Sequence, residues 1–174
     1  MRANLTLIFL LSTLAIVPGV SAQTCQISSI VASTPDSQLT DNNDGTISDT
    51  KTGLMWKKCV EGVMDNLCNI GDATSFTWQS ALQQPGVVNS TGFATYHDWR
   101  LPNMKELASI IEEQCYDPAI NLHRFPNTPS MVVWSGSPHV TYVSAAWYVD
   151  FNYGYLDFIS RSFTFQVRLV RDDQ

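Results

Sequence analysis

Apolar positions recur with a helical period over residues 104–111, and the rest of the chain can be placed around that stretch. Met104, Leu107, Ala108, Ile110 and Ile111 share one face, while Lys105, Glu112, Glu113 and Gln114 take the other. This predicts a helix over residues 103–114. Pro102 removes a backbone donor and biases Leu101 toward an extended conformation, so the helix begins after it. Asn103 suits the N-cap, and Glu106 stands three residues later, where a capping box places it. A helix this short is marginal alone, so its apolar stripe belongs against a sheet. A second helix is predicted over residues 75–82, capped by Ser75, with Trp78, Ala81 and Leu82 on one face and Pro85-Gly86 ending it. Residues 87–96 read as a loop.

Elsewhere the period shortens to two. Asp44-Gly45 and Lys51-Thr52-Gly53 are turn sequences between strand-like runs, giving a meander that ends in Leu54-Met55-Trp56, an apolar run directed into the core. Tyr116-Asp117-Pro118 stops the central helix, residues 125–129 form a Pro-rich connector, and residues 132–135 read as a strand. Ala145, Trp147, Val149 and Phe151 then alternate with Ala146, Tyr148 and Asp150, predicting a half-buried strand with the second set outward. Asn152-Tyr153-Gly154 turns the chain and residues 155–161 run back. Phe163, Phe165, Val167 and Leu169 alternate with Thr164, Gln166 and Arg168 in a last strand. The expected class is α+β, two helices packed on twisted antiparallel sheets, with neither an internal repeat nor a second domain.

Residues 1–22 read as a secretory signal: Arg2 is the positive end, an apolar core follows, and Val20-Ser21-Ala22 offers small residues for cleavage. Residues 23–37 read as an extended lead-in and residues 38–174 as one domain. The location this predicts is the periplasm, the medium or the cell surface of a bacterium. Of 10 basic and 16 acidic residues, losing Arg2 leaves 9 against 16, a net of −7. No basic patch suggests nucleic acid as a partner, and no lysine-rich amphipathic helix suggests membrane insertion once the signal is removed.

Cys25, Cys59, Cys68 and Cys115 are an even set in an exported chain, so two disulfides are the default, with three pairings open. Cys59 and Cys68 flank a short loop and would close it; Cys25 and Cys115 would then pair. Their spacings match no common zinc finger. Asp41–Gly45 resembles a calcium loop, but aligning Gly45 with an EF-hand glycine leaves Thr40 and Lys51 at the first and last ligand positions. Calcium is thus not indicated, and neither a metal site nor a cofactor is expected. Asn89-Ser90-Thr91 is a glycosylation sequon.

Asp44-Gly45-Thr46, Asp49–Trp56, the run from Asp98 to Leu107, Phe125-Pro126, Trp134-Ser135-Gly136-Ser137, Ala146-Trp147 and Val167–Arg171 occur in this order. As an ordered set they resemble the Lcl C-terminal domain family, named for a Legionella collagen-like adhesin, over residues 38–172. The resemblance implies a C-type-lectin-like fold and a recognition role outside the cytoplasm. The collagen-like repeats are missing, and so is the calcium-binding sugar motif of true C-type lectins.

Three functions compete. In a binding module for a protein or glycan at the cell surface, the contact set is Tyr142, Tyr148, Asp150, Asn152, Tyr153, Tyr155, Asp157 and Arg161, because tyrosine offers rigid, amphipathic contact area at low entropic cost. Ordinary aromatic packing on a sheet accounts for the same residues equally well. A structural or assembly subunit of a surface appendage or periplasmic complex is the second reading. An oxidase like the formylglycine-generating enzymes, which share a distantly related fold, is the third; it needs an accessible cysteine pair, which Cys59 and Cys68 do not suggest. His97-Asp98 lacks a nucleophile motif, so no catalytic residue is assigned. Trp56, Trp99, Arg100, Glu106, Trp134 and Trp147 are read as structural, Arg100 as a clamp on its turn.

Overall fold

The computed structural model describes residues 22–173; of the predicted signal, all but Ala22 lies outside the described residues. In chain order the elements are β1 (Thr24–Cys25), β2 (Leu39–Asp41), β3 (Thr46–Asp49), β4 (Leu54–Lys57), β5 (Val63–Met64), β6 (Ile70–Gly71), β7 (Phe76–Thr77) and α1 (Trp78–Thr91). Then follow α2 (Met104–Ala108), β8 (Cys115–Tyr116), β9 (Val132–Pro138), β10 (Ala145–Asp150), β11 (Tyr155–Ser160), β12 (Thr164–Phe165) and β13 (Val170–Asp172). Sheet dominates, with two helices. Among the described residues no helix is long and apolar enough to cross a membrane.

The N-terminal meander forms as its turn sequences dictate. Asp44 Oδ1 accepts the Thr46 amide at 3.0 Å, and Gly45 takes φ +89°, a left-handed value open to glycine. The resulting sheet has the order β13-β4-β3-β2, so the last strand closes beside the meander. A second sheet, β11-β10-β9, is built from the C-terminal hairpins. Between the two sheets lie Leu39, Ile47, Trp56, Leu107, Ile110, Phe125, Val149 and Phe151, all buried. A second apolar cluster joins Met55, Ala81, Trp99, Leu101, Trp134, Val167 and Leu169.

The central turn is locked on both sides. Asn103 accepts the Lys105 and Glu106 amides while Glu106 accepts the Asn103 amide, a complete capping box. Arg100 donates both arms of its guanidinium to Glu106, at 2.7 and 2.9 Å, and reaches Asp172 at 2.9 Å. Its backbone exchanges two hydrogen bonds with Val170. Arg168 is fully buried over the Phe125 ring, donating to the Lys57 and Lys58 carbonyls and to Thr128. Disulfides join Cys25 to Cys115, tying β1 to β8, and Cys59 to Cys68.

Four expectations are corrected. The central helix is shorter than residues 103–114, ending at Ala108. Past it, tertiary partners replace the helical ones: the buried Glu112 carboxylate accepts the Ser33, Thr34 and Gln114 amides, and the Glu112 amide donates to Ala119. The second helix starts later and runs through Pro85 and Gly86 to Thr91, capped by Thr77 rather than Ser75. Ser75–Thr77 is instead drawn into extended pairing, Phe76 opposite Phe165. The predicted final strand over residues 163–169 is broken, because Gln166 and Arg168 are buried along with Val167 and Leu169. Only Thr164–Phe165 and Val170–Asp172 are strands there, each in a different sheet. Residues 87–91, read as part of a loop, belong to α1, where the Asn89 side-chain amide donates to the Trp99 carbonyl at 2.8 Å and accepts the Trp99 amide at 2.9 Å.

Candidate functional site

The β9–β11 sheet carries most of the proposed contact residues. β9 and β10 are out of step at one point: Ala146 pairs with Pro138 but Tyr148 with Trp134, so three residues of β9 bulge opposite Trp147. The bulge is Ser135-Gly136-Ser137 of the Trp134–Ser137 motif. Ser135 donates to the Trp147 carbonyl, and Ser137 Oγ accepts the Met104 amide at the start of α2. The bulge thus supplies an acceptor to one of the helix's unpaired donors.

Both faces of β10 are covered: Ala145 and Val149 are buried as expected, but so are Ala146 and Tyr148. Tyr148 is only 8% exposed, edge-on to Trp134 and Phe165, with ring centroids 6.4 and 5.4 Å away. It is a core residue, and its expected outward placement is corrected. Trp147, expected in the core, is half-buried on an outward aromatic platform instead. There His139 lies 4.0 Å from the Phe158 centroid and 5.3 Å from Trp147, and Tyr142 stacks on Phe158 at 5.4 Å. Each such pair is worth about 0.5–1.5 kcal/mol beyond its area. His139 Nδ1 accepts the Thr141 and Tyr142 amides, which shapes the β9–β10 loop and places the proton of the neutral ring on Nε2.

At the opposite end of the sheet, the β10–β11 turn is anchored from below. The Asp117 amide donates to the Asn152 carbonyl, and the Asn152 amide donates to Asp150 Oδ1. Gly154 takes φ +73°, and a Cβ there would stand 2.9 Å from Ile111 Cγ2, so only glycine fits. On this support Tyr153 and Tyr155 are 67% and 44% exposed, and Tyr142 on the other loop is 57% exposed. Asp150 pairs with Tyr155 and Tyr148 with Asp157, so these four share one face. The Asp150 carboxylate, hydrogen-bonded to the Tyr155 hydroxyl, holds that phenol above its ordinary range. Burial, followed by the Asp157 charge, pushes Tyr148 up to about 12.

Arg161 lies apart from this group. Its guanidinium sits 4.2 Å from the Trp78 ring and its Nε donates to the Ala145 carbonyl, so it fastens the hairpin to α1. The sequence reading therefore brings together Asp150, Tyr155 and Asp157, with Asn152 and Tyr153 in the adjoining turn. It misses the platform of His139, Trp147 and Phe158. Only the density of aromatic residues over residues 139–158 could have signalled it, because alternation puts Trp147 on the same face as the buried Val149.

A cavity of about 600 Å³ lies elsewhere, between the Asp44-Gly45 turn, the Cys59–Cys68 loop and Phe93. Its polar floor is engaged internally: Lys57 Nζ lies 2.6 Å from Glu61 and 4.3 Å from the Phe93 centroid, and Gln84 donates to the other Glu61 oxygen. Among the described residues no cysteine is free and no group of three or more His, Cys, Asp or Glu residues is placed to hold a metal ion. The Lcl C-terminal domain matches residues 45–171. None of the curated proteins matches the chain. The chain belongs to the Lcl C-terminal domain family.

Proposed function

We propose that this Lcl C-terminal domain protein is an exported, non-catalytic binding module of C-type-lectin-like architecture, presenting the exposed tyrosines around its C-terminal sheet to a component of a cell surface. One observation carries the reading. Tyr142, Tyr153 and Tyr155 are held outward on a supported sheet, while Trp56, Trp99, Trp134, Phe125 and Phe151 are each no more than 1% exposed. Exposed tyrosines on a rigid scaffold lose little entropy on contact and offer both an apolar body and a polar tip. The two disulfides accord with an oxidising compartment.

The test is binding of the purified exported chain to a glycan and surface-protein array, repeated with Tyr142→Ala, Tyr153→Ala and Tyr155→Ala combined. At least about a tenfold loss of signal is expected, with an unchanged melting curve; a tenfold loss corresponds to about 1.4 kcal/mol spread over the three rings. Array binding that survives the triple change would reject this surface.

A further inference from the structure

We infer that the exposed edge of the β10–β11 hairpin docks a basic protein segment, seating a lysine or arginine side chain between Asp150, Asp157 and the ring of Tyr155. The inference rests on the binding reading above and names the partner's chemistry.

The register places the two carboxylates for a shared ligand. Asp150 is directly opposite Tyr155, and Asp157 lies two residues along β11 on the same face. Such diagonal neighbours are about 7–8 Å apart, a span that one guanidinium or ammonium can bridge. Asp150 accepts the Asn152 amide and the Tyr155 hydroxyl, and Asp157 accepts the Phe158 amide. An ionised carboxylate has about four acceptor positions, so both keep capacity facing out.

The charge pattern selects the partner. Between Arg124 and Arg161 the sequence contains no lysine or arginine. Arg161 is engaged with Trp78 and the Ala145 carbonyl. Among the described residues no ion pair reaches Asp150 or Asp157, whereas Asp36, Asp41, Asp98, Glu106 and Glu61 all have a cationic partner. The face therefore presents negative charge and π-density together, the combination that attracts lysine and arginine. A second copy of the chain would present the same sign, with a formal net charge of −6 behind it. A sulfated glycan or an anionic lipid would be repelled for the same reason.

The test is fluorescence anisotropy of a labelled arginine-rich peptide with the exported chain, using an equal-length glutamate peptide and heparin as comparators. The arginine peptide is expected to bind at low ionic strength and weaken toward about 0.5 M salt, where the Debye length falls to a few ångströms. Asp150→Asn with Asp157→Asn keeps the oxygens that accept the two amides and should weaken binding about tenfold. Asp72→Asn with Glu113→Gln removes the same charge from exposed sites elsewhere and should leave binding unchanged. Equal binding by the Asp150/Asp157 variant, an equal loss in the Asp72/Glu113 control, or tighter binding of heparin would overturn the inference. If array ligands lost on removing the tyrosines are retained by the Asp150/Asp157 variant, the cationic partner is rejected while the binding surface stands. Absence of any array ligand instead removes the binding reading itself.

Discussion

The frame built on β13-β4-β3-β2 and the hairpin sheet β11-β10-β9 treat charge in opposite ways. In the frame, several carboxylates meet cations. Glu106 takes both arms of Arg100, Asp98 lies 2.7 Å from Arg171, and Asp41 lies 2.6 Å from the almost fully buried Lys58. On the hairpin sheet, Asp150 and Asp157 meet backbone amides and the Tyr155 hydroxyl but no cation, and the exposed Tyr153 and Tyr155 rings stand beside them. Paired charge in a fixed fork geometry holds the chain reversal at Arg100 in one arrangement. Unpaired charge beside exposed rings adds little to folding and leaves capacity for a partner. The contrast separates what holds the molecule together from what it offers outward.

The comparison breaks most directly at Trp134, a β9 residue in the same apolar cluster as Met55 of β4. Its ring is fully buried against Tyr148 and Phe165, and its indole N–H donates to the Phe76 carbonyl at 2.9 Å. Trp134→Ala should cost about 3–5 kcal/mol by denaturant unfolding. A cost below about 1 kcal/mol would mean that the hairpin sheet is not packed on the frame as described. Next in size is the Cys25–Cys115 bridge, which ties together points 90 residues apart. Replacing both cysteines by serine should cost about 2–4 kcal/mol, read as a lower denaturant midpoint. Array binding through the hairpin sheet should persist wherever the variant is still folded.

A pH dependence sharpens the frame's side of the contrast. Burial raises the Glu112 carboxyl, but hydrogen bonds from Ser33, Gln114 and Thr34 outweigh it and hold it below the ordinary glutamate range. A depressed folded value means that this stabilisation is present above the unfolded-chain value and lost as pH falls through the folded one. Stability should therefore drop on acidification below about pH 4.5, the unperturbed glutamate value. Glu112→Gln should flatten that acid limb and cost about 1–2 kcal/mol at neutral pH. An acid limb identical in the variant would refute the assignment. The smallest stability effect belongs to the display side: Tyr153→Ala should stay within about 0.5 kcal/mol of the parent in thermal unfolding.

Where one residue type has one local solution, the sequence was readable. The Asn103–Glu106 capping box, the Asp44-Gly45 turn and the clamp role of Arg100 all formed as the residue chemistry requires. Errors arose where both faces of a segment are covered. Gln166 and Arg168 look like the solvent side of a strand, yet both are buried, so alternation there carried no information about direction. Tyr148 is buried and Trp147 only half-buried because both faces of β10 are packed, and the three-residue bulge of β9 stands opposite Trp147. Nothing in β10's own sequence encodes a partner's bulge. Pro85 likewise marked a helix end that the packing of α1 overrode.

By itself, then, the sequence determined the caps, the turns, the apolar runs and the cation-free stretch before Arg161, because each depends on neighbours within a few positions. Only the tertiary structure decided where α2 stops, which aromatic rings are buried and which carboxylates remain without a cation. Those outcomes depend on groups brought together from across the chain, such as Ser33 beside Glu112 and Trp78 beneath Arg161. Local pattern cannot report them, because the competing partner is absent from the window being read.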